Sequence, residues 1–153
     1  MKQHQRSTFN QTVEILEHSV AYLKDVRDLL SGFQVDEHPE RVVMLLESFE
    51  LAHRKLLGAL ERYLQDADGR VLETYAQYTV LLPVELGKPH TPLTTLSLMR
   101  WLQDLNEPLE CMFRELAETA NSPGLREAFT ALTGLVESHE RMLSQEYQHL
   151  EGL

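Results

Sequence analysis

The stretch LESFELAHRKL (46–56) places Glu50 and His53 three residues apart. On a helix that spacing puts a carboxylate and an imidazole one turn apart, close enough to reach a common point. Carboxylate oxygen and imidazole nitrogen together suit a transition metal. The alternative for the histidine is a metal-free hydrogen bond, to Glu50 or to Glu110 across the molecule. His139 is a second histidine set among apolar residues, with Glu140 beside it. A metal in the middle of the chain would draw on Glu50, His53, Glu110, His139 and Glu140. A further Glu-x-x-His, Glu146 to His149, lies two turns beyond the His139 level and reads as surface.

Other chemistries lack their residues. No histidine has a histidine or glutamate four positions on, there is no glycine-rich phosphate loop, and no G-x-S-x-G elbow occurs. Cys111 is the single cysteine, which excludes a disulfide framework and a cysteine zinc site. It reads as a half-buried small residue in a reducing, cytoplasmic setting. The net charge of −10 argues against nucleic-acid or anionic-membrane binding. The N-terminal MKQHQRSTFNQ has no apolar centre, so it is not expected to be a signal peptide, and no apolar run is long enough to span a bilayer.

The elements that must position these residues are helices. Breakers cluster at SGFQVDEHPE (31–40), DADG (66–69), LPVELGKPHTP (82–92) and NSPG (121–124). Between them five helical stretches are expected, at about 8–31, 39–66, 69–82, 93–120 and 124–150, all in one domain over 1–153. Short connections at 31–38 and 121–123 join antiparallel neighbours, and 67–92 returns the chain across the molecule with a short helix on the way. The expected fold is all-α: an up-down four-helix bundle with a short crossover helix. Whether the first helix or the third lies outside the core stays open.

Helical periodicity then assigns faces. The second helix buries Val42, Leu46, Phe49, Leu56, Leu60 and Tyr63, with His53 near the stripe's centre and Glu50 at its boundary. The last helix buries Leu125, Phe129, Leu132, Val136, Leu143, Tyr147 and Leu150, with His139 inside the stripe and Glu140 at its edge. Counted from the turns, His53 and His139 reach similar depths. The first helix is expected to bury Phe9, Val13, Leu16, Val20, Leu23 and Leu30, bringing Leu16 and Val20 to the level of His53. Tyr22, Leu29 and Phe33 then extend an exposed apolar surface suited to a homodimer. Tyr63, Tyr75, Tyr78, Trp101 and Phe113 read as core, and Pro108 should kink the fourth helical stretch without ending it.

The segment EPLECMFRELAETANSPGLREAFTALTGLVESHERMLSQEYQHL (107–150) resembles the second half of rubrerythrin and related ferritin-like proteins. Phe129, Leu132, His139, Leu143 and Tyr147 keep that spacing. The resemblance implies a ferritin-like bundle and iron held by carboxylates and histidines from four helices. The chain departs from it at Val136, where the family has a bridging glutamate, and on the first helix, where Glu14, Glu17 and His18 fall opposite the apolar stripe. Two histidines and Glu50 remain, with Glu110 and Glu140 as substitutes. The expectation is a degenerate site with no iron bound, on a scaffold that binds a partner or itself; the alternative is an iron-dependent oxidase or iron-handling protein.

Overall fold

In a computed structural model the described residues are 4–32, 39–65, 75–83 and 94–152, the two strands by their backbone. The elements are β1 (His4–Gln11), α1 (Thr12–Ser31), α2 (Glu40–Leu64), β2 (Tyr75–Pro83), α3 (Thr95–Thr119) and α4 (Pro123–Glu151). The four helices pack into the expected bundle.

Cross-helix contacts fix its order. At one end of the α3/α4 pair the Thr95 hydroxyl meets the Glu151 carboxylate, and at the other the Phe113 and Phe129 rings stack with centroids 6.3 Å apart. Those helices are therefore antiparallel. Lys55 acts electrostatically on His139 and Glu127 on Tyr63, so α2 also runs against α4. It follows that α2 and α3 are parallel, and the chain between them must travel the length of the bundle. Each has 25 residues, which is about 38 Å at the helical rise. This is a bundle with one long crossover.

That crossover carries a strand where a short helix is expected. Tyr75–Pro83 pairs antiparallel with His4–Gln11, from His4 opposite Pro83 to Phe9 opposite Tyr78, with a bulge before Gln11 meets Tyr75. Two physical reasons account for the difference. YAQYTVLLP is rich in aromatic and β-branched residues, which favour a pleated chain. Nine extended residues also cover about 30 Å, against about 14 Å as a helix, and the return path is long. The remainder of the crossover expectation, 69–74, lies outside the described residues, as does Phe33. Strand β1 likewise takes residues 8–11 from the expected first helix, so Phe9 belongs to no helical stripe.

The helix ends follow local chemistry. Thr94 caps α3, its Oγ1 accepting from the Ser97 N–H at 3.0 Å. The Ser97 hydroxyl accepts in return from the Thr94 N–H at 2.8 Å, which closes a capping box. Ser122 caps α4 by accepting from the Leu125 N–H at 3.2 Å. Pro123 follows in the first turn, where its missing N–H costs nothing. Helix α3 runs unbroken through Pro108.

The buried stripes of α2 and α4 hold Val42, Leu46, Phe49, His53, Leu56 and Leu60 on one, and Leu125, Phe129, Leu132, Val136, His139 and Leu143 on the other. The stripe of α1 is rotated from the expected one: Ile15, Leu16, Ser19, Tyr22, Leu23, Val26 and Leu30 are buried, and Val20 is only partly so. Tyr22, expected on an exposed face, is 5% exposed and donates its hydroxyl to the Leu105 carbonyl at 2.7 Å. Leu29 packs partly against the core. Cys111, expected half-buried, is exposed, because it falls between the buried positions Leu109 and Met112 and points off their stripe. No helix among the described residues is long and apolar enough to cross a membrane.

Candidate functional site

Midway along the bundle α2 and α3 lie side by side, and His53 meets Asn106 there. His53 is 7% exposed and Asn106 1%. Their Nε2 and Oδ1 atoms are 2.7 Å apart. With an amide oxygen as acceptor, the imidazole proton sits on Nε2 and Nδ1 is left as a bare acceptor. The Phe49 ring, one turn earlier on α2, lies against the imidazole with centroids 4.1 Å apart and holds it in place.

The partner is neither Glu50 nor Glu110. Asn106 sits one turn after Leu102 and three residues before Leu109, on the buried stripe of α3. Its signal in the sequence was a lone amide among leucines at helical spacing, and a search confined to carboxylates and histidines passes over it. An amide suits the place: it accepts a buried hydrogen bond without bringing a charge into the core.

His139, 5% exposed, enters the same region from α4, close enough that its charge helps to hold His53 down. Burial is the main cause and brings the His53 imidazole to about 4, against the opposing pull of the Asn106 hydrogen bond. His139 is also lowered, first by burial and then by the Lys55 ammonium. Both histidines are thus neutral near pH 7. Three buried polar atoms here have no hydrogen-bond partner: His53 Nδ1, Asn106 Nδ2 and His139 Nδ1.

The three glutamates have separate surroundings. Glu110 takes the Arg114 guanidinium at 2.5 Å, and Arg114 reaches across to Glu137 at 3.0 Å. Glu140 is half-buried, and its carboxyl is pushed up to about 7 by burial and by the charge of Glu110. The Asn106 amide opposes that rise without forming a well-aligned hydrogen bond, and Glu107 adds to it. Glu50 lines a groove of about 250 Å³ between α1 and α2, together with His53, Arg54, Arg27 and Leu23.

The side chains that α1 brings to this level are Tyr22, through Leu105, and Leu23, in place of Leu16 and Val20. Val136, where the resemblance would have a glutamate, is fully buried one turn before His139. Iron needs several oxygen and nitrogen donors on one point. Among the described residues no three His, Cys, Asp or Glu side chains come together closely enough to hold a metal ion. The imidazole nitrogens are present in this arrangement, and the convergent carboxylates are not.

Comparison with protein-family models, with curated proteins and with solved structures finds no match to this chain.

Proposed function

We propose that the chain is a ferritin-like bundle whose metal position has been given over to a structural polar pair, and that it acts as a binding module. The observation that carries this reading is the 2.7 Å contact between His53 Nε2 and Asn106 Oδ1, which spends the best-placed imidazole on an amide. The parallel α2/α3 pair and the single long crossover fit a ferritin-like order. Function does not follow from a fold, so the binding role rests on the groove that opens beside His53.

A second reading, an iron-handling protein with an irregular site, has one observation in its favour. His53 and His139 are neighbours, and each keeps a ring nitrogen without a partner. Metal analysis of protein purified after iron supplementation decides between the two, with His53→Ala in parallel. No stoichiometric metal is expected, and the variant should differ only in stability. Stoichiometric iron that disappears in His53→Ala establishes the second reading and overturns the first.

A further inference from the structure

We propose that the groove between α1 and α2 binds a small apolar carboxylate that also carries a hydrogen-bond donor. The proposal deepens the binding-module reading and rests on it.

Three features of the groove select this class. Its walls are the aliphatic side chains of Leu23, Leu30 and Leu57, so an occupant must bring an apolar body. The volume of the groove is about 250 Å³. That is small for a small-molecule site, so the body is compact, of the size of a bicyclic ring.

The second feature is charge. The chain carries −10 overall, yet two exposed guanidinium groups, Arg27 and Arg54, line the groove from facing helices. Neither is ion-paired among the described residues. Two planar forks on either side of an apolar slot suit a carboxylate, which accepts from both. Glu50, in the same lining, offsets one positive charge and so disfavours a dianion.

The third feature is His53. It lines the groove from the core side, and with its proton on Nε2 for Asn106 its Nδ1 is a buried acceptor that no described group satisfies. A hydroxyl or N–H at the inner end of the ligand meets that need, and Glu50 is a second acceptor within the same lining. The carboxylate would sit at the arginines and the donor at the histidine.

The test is titration of the full chain, followed by calorimetry, with indole-3-acetate, its neutral analogue indole-3-acetamide, and naphthalene-1-acetate, which has no N–H. EDTA is present throughout, so a failure here bears on the groove and leaves the His53–Asn106 pair to the iron assay. Indole-3-acetate should bind about tenfold or more tightly than either analogue, as expected for a charge-assisted contact and for a buried acceptor left unpaired. Arg27→Ala with Arg54→Ala should abolish the preference for acid over amide while the helical circular dichroism is unchanged. Leu57→Trp, which fills the groove, should abolish binding of all three. Equal affinity for acid and amide, binding of none of the three, or a preference that survives the double arginine variant overturns the proposal. Equal affinity for naphthalene-1-acetate overturns the role given to His53.

Discussion

His53 Nε2 and Asn106 Oδ1 lie 2.7 Å apart although 53 residues separate them in the chain. One residue before Asn106, the Leu105 carbonyl accepts the Tyr22 hydroxyl at 2.7 Å. Helices α1, α2 and α3 are therefore tied at a single level by two directional bonds that cross between helices in a largely apolar core. Apolar packing tolerates small slips along a helix, whereas a buried bond of this length has one register, so the pair sets how α2 and α3 align.

Asn106→Leu should destabilise the protein by about 1–3 kcal/mol, because it leaves the buried His53 N–H without an acceptor. Adding His53→Leu removes that orphan and should recover most of the loss, since an apolar pair of similar volume fills the space. Urea unfolding of the two single variants and the double variant measures the coupling. Strict additivity of the two losses would show that the contact contributes nothing.

Tyr22→Phe removes a hydroxyl whose partner, a helical carbonyl, keeps its own helix. The expected loss is about 1 kcal/mol, smaller than that of Asn106→Leu. The same unfolding series reads it. A neutral Tyr22→Phe would mean that the tyrosine serves by its ring alone.

Ser122→Ala should lower stability by about 1 kcal/mol through the lost cap on α4, with no change in any ligand or metal assay. Thermal unfolding is the measurement. A larger loss would point to the turn at 120–123 rather than to the cap.

Much of this architecture is legible in the sequence. The stripes of α2 and α4 follow from periodicity except at Tyr63 and Tyr147, which are only partly buried, and the breaker NSPG (121–124) falls at the boundary between α3 and α4 as expected. The departures have specific causes. Anchoring the α1 stripe on Phe9 rotates it and hides the burial of Tyr22, because the strand His4–Gln11 depends on a partner far along the chain, Tyr75–Pro83. Local pattern holds no record of such pairing. The candidate site is legible in its two histidines, which do arrive at one level. Asn106 is not, since an uncharged amide on an apolar stripe has no motif and acquires its meaning only when another helix supplies the imidazole.

The pH dependence of stability should separate the buried histidines from Glu140. His53 titrates near 4 when folded and at its ordinary 6.5 when unfolded. Between those values the unfolded chain binds more protons, so the contribution of His53 is complete above pH 6.5 and is lost as the pH falls toward 4. The full loss is on the order of 3 kcal/mol; His139 acts in the same direction. Glu140 has the opposite sign. Its folded value near 7 exceeds the ordinary 4.5, so its contribution is present at low pH and is lost as the pH rises through 7. In the wild type the two oppose each other between 4.5 and 6.5 and flatten the profile. Glu140→Gln removes one of them, so the variant should be the more stable protein at pH 8 and should lose stability more steeply below 6.5. His53→Leu should give the reverse, a shallow acid limb. Urea midpoints measured from pH 4 to 8 test both, and superimposable profiles for Glu140→Gln and the wild type would show that the Glu140 carboxylate is solvated and uncoupled from the core.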